Sequence, residues 1–336
     1  MKYKLCIAIP TFNRAVRLEK AFKDLLSQII HAKKKQLLSV FVSNNGSTDG
    51  TSDVIERYKE NFKKNDICFS SFSFNYNRGF DANVLNCYKR CDAEYVWFLS
   101  DDDNIMDGAI CSIMDDIQTF SPTVLFYNFN QPPFLIGNQY IQETNLFNYV
   151  DEENIQSISK IIYWPKLSAL VIKVSDEWLY SDLDDFNYGF MHVALAIQAA
   201  LNSGRVLHSV NFVAGPDDDY LDHIDFPPYI GNSLVEMIDV IFLKNERYDI
   251  YNKLDLKKND SLSVSLAYLG SYYRGRIKIS PSLKSEIHAN ILYEIRNIQI
   301  KNMDIGVLAL SIIKYIISYV YCIIHVFLLG KGPIKS

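Results

Sequence analysis

Phe98-Leu99-Ser100-Asp101-Asp102-Asp103 sets three consecutive carboxylates directly behind an apolar run that begins at Tyr95. The aromatic and aliphatic residues from Tyr95 to Leu99 read as a buried strand, and Ser100 to Asn104 as the loop at its carboxyl end. In open α/β sheets that edge is where ligands bind. Clustered aspartates are hard oxygen donors suited to Mg²⁺ or Mn²⁺, and such an ion commonly joins a protein to nucleotide phosphates. A solvated acidic turn capping the next helix has the same composition, so the neighbouring loops must decide.

Working outward, Leu5 to Ile9 is an apolar run of strand length, ended by Pro10-Thr11-Phe12-Asn13-Arg14. Leu18, Phe22, Leu25, Leu26 and Ile29 then recur near helical spacing. A second strand, Leu38 to Val42, leads into Ser43-Asn44-Asn45-Gly46-Ser47-Thr48-Asp49-Gly50-Thr51 and a helix from Ser52 to Phe62. That loop consists of turn formers and small donors, which suits close approach of backbone to a polar ligand. A third strand, Ile67 to Phe74, is followed by Asn75-Tyr76-Asn77-Arg78-Gly79-Phe80 and a helix through Cys87. Strand, polar loop and helix repeated in one order predict a mostly parallel sheet with helices on both faces and every polar loop on one rim.

Ile9-Pro10-Thr11-Phe12-Asn13-Arg14, the Asn44 to Thr51 loop, Asn77-Arg78-Gly79 and Ser100 to Asp103 together resemble the successive signatures of family 2 glycosyltransferases with a GT-A fold. From Trp164 to Asp219 the chain is also similar to bacterial O-antigen transferases of the abequosyltransferase type. The resemblance implies that Pro10, Thr11, Asn13 and Arg14 line a nucleotide pocket, that Asn44 and Asn45 meet the base, and that Asn77, Arg78 and Gly79 lie close to the nucleotide. It implies that Asp101 and Asp103, with Asp102 beside them, hold Mn²⁺ or Mg²⁺ against the sugar diphosphate. Relatives commonly carry paired aspartates where this chain has Asn44-Asn45. An amide, unlike a carboxylate, also donates to the acceptor N3 of cytosine, so a CDP-linked donor is an expectation beside a UDP-linked one. A divalent ion would stabilise charge on the departing nucleoside diphosphate, and Arg14 or Arg78 would serve as fixed cations.

The base that takes the acceptor hydroxyl proton is less sharply marked. Asp184 and Asp185 precede an apolar helix from Val193 to Leu201, and His192 stands at its entrance. Imidazole titrates near neutrality, so His192 and either aspartate are the candidates; a histidine packed at a helix start is the plain alternative. Gly215-Pro216-Asp217-Asp218-Asp219, with His223 and Asp225, is a second acidic cluster that reads as a solvated loop. Two other classes use similar parts. A nucleotidyltransferase would want a glycine-rich phosphate loop with basic residues after the first strand, which Pro10 to Arg14 does not supply. A non-catalytic sugar- or lipid-binding protein on the same fold would lack metal dependence.

The chain has 336 residues, 49% of them hydrophobic, and a formal charge of −5, which argues against a broad nucleic-acid-binding surface. Its six cysteines show no paired metal-site spacing, and Met1-Lys2-Tyr3-Lys4 opens no secretory pattern, so reduced thiols in the cytoplasm are expected. Residues 1–230 are expected to form the catalytic domain, 231–303 a helical extension, and 304–336 an apolar C-terminal helix. From Ile305 to Leu329 that helix is long enough to approach a bilayer's hydrocarbon thickness of roughly 30 Å. Asp304, Ser311, Ser318 and His325 recur every seven residues, giving one narrow polar stripe. An interfacial helix, with Lys331 and Lys335 meeting anionic lipid, would put the protein on the inner face of the membrane. The helix could also span the bilayer, and packing on the catalytic domain or on a second subunit would bury the same face. An interfacial helix would bring the site to a polyprenyl-diphosphate-linked saccharide acceptor.

Overall fold

The computed structural model describes residues 3–32, 34–130, 140–176, 186–216 and 231–254. The chain divides into two compact units, Met1–Asp217 with Glu236–Leu254, and Asp218–Val235 with Asp255–Ser336. The sheet and the site lie in the first. Among the described residues no helix is long and apolar enough to cross a membrane; Ile305 to Leu329, the Asp217 to Asp225 cluster, Asp184 and Asp185 lie outside them.

The first half alternates strand and helix: β1 (Tyr3–Thr11), α1 (Ala15–His31), β2 (Leu38–Asn44), α2 (Thr51–Lys64), β3 (Cys68–Ser73), α3 (Phe80–Arg90) and β4 (Ala93–Phe98). Then come β5 (Asp103–Ile105), α4 (Ala109–Phe120), β6 (Val124–Phe129), β7 (Asn145–Phe147), α5 (Gln156–Tyr163), β8 (Leu170–Lys173), α6 (Met191–Ser203), β9 (Val206–Pro216), α7 (Gly231–Lys244) and α8 (Tyr248–Tyr251). The strands form one sheet in the order β3-β2-β1-β4-β8-β6-β9-β5, with β7 also on β9. The α/β expectation holds. The parallel arrangement is confined to β3-β2-β1-β4 and the β6-β9 pair; β8, β5 and β7 run antiparallel to their neighbours.

Helices on both faces explain why β1, β2 and β4 are apolar without alternation. Leu5, Ile7 and Ile9 of β1 face one core with Leu18, Phe22, Leu25 and Ile29 of α1, Val54, Tyr58 and Phe62 of α2, and Ile110, Ile113 and Ile117 of α4. Phe22 packs on Tyr58, Phe62 and Phe69 with ring centroids 5.1 to 5.8 Å apart. Burying each such side chain contributes about 2 kcal/mol. The other face of β1, Cys6 and Ala8, is equally buried, and α3 packs against β1 and β2.

Register positions the site. Ala8 pairs with Phe98 across β1 and β4, and the Leu99 N–H donates to the Ala8 carbonyl (3.0 Å). Carried three residues on, that offset brings Thr11 to Asp101. Thr11 is likewise paired with Asn44 at the end of β2. The expectation of a plain loop from Ser100 to Asn104 is corrected at its far end, where Asp103 to Ile105 form β5, with Asp103 opposite Pro216 and Ile105 opposite Ala214.

Candidate active site

Three helices begin at the carboxyl rim of the parallel strands, at Ala15, Thr51 and Phe80. Their first N–H groups have no partner within the helix and favour negative charge beside them. Asp49 serves two of the three starts. Its Oδ2 accepts from the Ala15 N–H (3.2 Å), and its Oδ1 from the Thr51 N–H (2.9 Å) and hydroxyl (2.5 Å). Burial would push its carboxyl up, but these donors outweigh it and the pKa lies below the ordinary value. Asn13 holds a left-handed backbone (φ 53°), accepts from the Thr48 N–H (2.8 Å) and donates its own N–H to Ser47 Oγ (2.9 Å). The Pro10 to Arg14 loop is thereby laced to the loop after β2.

Asn44 and Asn45 are buried and turned inward. Asn44 Oδ1 accepts from the Ser47 N–H (3.1 Å) and its side-chain amide donates to Ser52 Oγ (3.1 Å). The Asn45 amide donates to Asn77 Oδ1 (2.8 Å) and the Gly79 carbonyl (2.9 Å), while its oxygen accepts from the Arg78 N–H (2.8 Å). Both Asn45 amide hydrogens are therefore spent on the loop after β3. Of the two amides expected to read a cytosine, Asn45 has no hydrogen left for a base, while Asn44 uses one of its two on Ser52. Gly46 is fixed for a related reason: at φ 70° a side-chain carbon there would come within 2.5 Å of the Tyr76 backbone. Arg78 is exposed, its guanidinium 5.8 Å from the ring centroids of Tyr76 and Phe74.

Each aspartate of the triplet has its own set of partners. Asp101, 5% exposed, accepts from Thr11 Oγ1 (2.5 Å). Asp102 is paired with Arg14 (2.5 Å) and Arg17 (3.2 Å) and accepts from the Ser100 hydroxyl (2.5 Å). Asp103 accepts from the Ser168 hydroxyl (2.6 Å). Burial, then the Asp102 charge, push Asp101 up to about 7 against the pull of Arg14 and Thr11. The same two causes push Asp103 up to about 8 against Ser168 and Lys166. Two crowded carboxyls whose ionisation is held back fit a hard divalent cation bound through one or two carboxylates, with phosphate oxygens and water completing its shell. Among the described residues no three His, Cys, Asp or Glu side chains form a ready-made cage.

His192, 3% exposed, has Nε2 3.1 Å from the Pro165 carbonyl. A carbonyl only accepts, so Nε2 carries the proton and the lone pair is on Nδ1, which is buried without a hydrogen-bond partner. Burial, only partly offset by Pro165, pushes the ring down to about 4, so it is neutral at pH 7. The neighbouring ring of Phe80 is 5.8 Å away, centroid to centroid. Sequence reading missed three residues here. Arg17 stands one helical turn beyond Arg14, a spacing that could have drawn attention to it. Asp81 reads only as a helix-start acid, and Ser168, 65 residues beyond Asp103, carries no local signal at all.

The profile described as "Glycosyl transferase family 2" matches residues 6–177, just over half of the chain. A Campylobacter jejuni protein named GalNAc(5)-diNAcBac-PP-undecaprenol beta-1,3-glucosyltransferase is 36% identical over 112 residues, 33% of each chain. Abequosyltransferase RfbV of Salmonella typhimurium is 24% identical over 223 residues, 62% of this chain and 64% of that one. The matched part thus spans a third of the first relative's length and under two thirds of the second's. Among solved structures, S. aureus TarS 1-349 in complex with UDP-GlcNAc superposes with a TM-score of 0.55 at 16% identity, covering 97% of this chain and 92% of that one. A Pyrobaculum calidifontis mannosyltransferase in complex with GDP-Man and Mn²⁺ gives 0.51 at 15% identity, covering 99% and 89%. At such identities these likenesses show a shared fold. The profile runs through β1, the loops after β2 and β3, the aspartate triplet and Ser168, the elements that assemble the rim, and on that match the chain belongs to glycosyl transferase family 2.

Proposed function

We propose that the protein transfers a hexose or deoxyhexose from a nucleotide-sugar donor to a lipid-linked saccharide during assembly of a bacterial surface polysaccharide, with a divalent ion at Asp101 and Asp103. The observation that carries this reading is the rim itself, where two carboxyls with raised pKa sit beside Arg14, Arg17 and the starts of three helices. Such a rim suits a sugar diphosphate: helix starts and arginines meet the phosphates, and the carboxylates meet the cation. The relatives' names support the reading, one naming an undecaprenol-linked saccharide and the other the transfer of the deoxyhexose abequose. A polyprenyl-linked acceptor would draw the enzyme to the inner face of the membrane, with residues 304–336 as the segment that would reach the lipid.

Bound Mn²⁺ or Mg²⁺ would act as a Lewis acid on the leaving diphosphate. The chain's own residues do the rest. Arg14 and Arg17, held by Asp102, fix positive charge beside the diphosphate, and the loop braced by Asn44 and Asn45 carries the nucleoside. Asp184, Asp185 and His192 remain the candidates for the acceptor base; in His192 the accepting atom is Nδ1, oriented by the Nε2–H donated to Pro165. Substitution tests this assignment: His192→Ala or Asp185→Asn is expected to lower kcat at least 100-fold with donor KM little changed. Turnover within a few-fold of wild type in both would remove them as candidates.

A nucleotide-sugar panel tests the class. UDP-linked sugars are expected to be hydrolysed slowly in Mn²⁺ and not in EDTA. Equal hydrolysis in both, or none with any donor, would overturn the metal-dependent reading.

A further inference from the structure

The Trp97 indole N–H donates to the Ser168 carbonyl (2.9 Å), the Ser100 N–H donates to Ser168 Oγ (2.9 Å), and Ser168 Oγ–H donates to Asp103 Oδ2 (2.6 Å). Ser168 has no solvent exposure. One side chain therefore clasps both ends of the Ser100 to Asp103 loop, accepting at one and donating at the other. A hydroxyl is the smallest group that does both. Alanine would do neither, and cysteine would do both weakly.

The loop has few other means of fixing Asp103. Asp101 is held by Thr11, and Asp102 by Ser100, Arg14 and Arg17. On the backbone side, β5 is three residues long and meets β9 from Asp103 onward. With Oδ2 of Asp103 accepting from Ser168, the hydrogen bond limits rotation of the carboxylate and leaves Oδ1 for another partner.

We infer that Ser168 is a positioning residue for the cation site, setting the orientation of Asp103 through one hydrogen bond while tethering Ser100 through the other. The inference rests on the metal-dependent reading above and deepens it. It assigns to the β8 side of the sheet a part in cation binding that the aspartate triplet alone does not reveal.

The test is Mn²⁺ binding followed by electron paramagnetic resonance of the free ion, with UDP present, on the full chain. Ser168→Ala is expected to weaken Mn²⁺ binding about tenfold or more, while UDP binding in EDTA, by calorimetry, stays within threefold of wild type. Ser168→Thr, which keeps the hydroxyl, is expected to recover most of the Mn²⁺ affinity. If Ser168→Ala folds, melts lower and binds Mn²⁺ as tightly as wild type, the residue is only a structural clasp and the inference falls. Should Ser168→Ala fail to fold, Ser168→Cys is measured the same way, with unchanged affinity overturning the inference. Wild-type protein that binds no Mn²⁺ with or without UDP would instead overturn the cation reading itself, and the role of Ser168 with it.

Discussion

Replacing Asp103 with Asn is expected to abolish metal-dependent transfer, with kcat/KM lower by about 1,000-fold, and at the same time to make the metal-free protein more stable at neutral pH. The two effects have one cause. Asp101 is raised to about 7 and Asp103 to about 8 by burial and by the charge of Asp102, whereas in the unfolded chain both titrate near 4. Below about pH 4 both states are protonated and the groups contribute nothing to the pH dependence. Between there and about pH 8 the folded protein holds more protons than the unfolded chain, so stability falls as pH rises. Each unit of separation is worth about 1.4 kcal/mol. Thermal melts in EDTA from pH 4 to 9 should show that decline, Asp103→Asn and Asp101→Asn should flatten it, and Mn²⁺ should restore wild-type stability most strongly at pH 8. A wild-type melting temperature that rises through this window in EDTA would contradict the electrostatic account of the site.

The elements that frame this site were readable because their physics is local. Leu5 to Ile9 and Tyr95 to Leu99 are apolar at every position, which only a strand covered on both faces tolerates, and Leu18, Phe22, Leu25 and Ile29 mark the buried face of α1. The aspartate triplet was visible as a cluster for the same reason. What was not readable is the division of labour inside it. Asp102 turns to Arg14 and Arg17 because α1 starts beside the rim, and Asp103 turns to Ser168 because β8 lies against β4. These are consequences of sheet order, and a sequence states sheet order only indirectly. β5 escaped for the same reason, since its three residues pair with a strand more than a hundred positions away. The Asn44-Asn45 pair shows a different limit: an amide can brace its own loop as readily as it can read a base, and only the partners Asn77, Gly79 and Arg78 distinguish the two.

Asp81 sets up the second large effect. Its carboxylate, 2% exposed, accepts from the N–H groups of Tyr188 (2.7 Å), Gly189 (2.7 Å) and Met191 (2.9 Å). Burial pushes the group up, and the backbone donors of Met191, Gly189 and Tyr188 pull it part of the way back. An anion from α3 thereby closes the start of α6, where unpaired N–H groups and the helix dipole both favour negative charge. The anchored segment leads directly into His192, one of the candidates for the acceptor base. Asp81→Ala leaves three backbone donors without their acceptor, the Met191 N–H in the interior and those of Tyr188 and Gly189 partly open to solvent, and unmet buried donors cost about 1 to 3 kcal/mol each. Partial rehydration reduces the sum, leaving an expected loss of about 3 to 5 kcal/mol. Asp81→Asn keeps one accepting oxygen but turns an amide N–H₂ toward backbone donors, so it should recover only a minority of that loss. Because Gly79, whose carbonyl accepts from Asn45, lies two residues before Asp81, the alanine variant should also weaken UDP binding, by less than tenfold, while kcat falls further. Urea unfolding paired with calorimetric UDP binding separates the two terms, and a variant that keeps wild-type stability would show that the three donors find other partners.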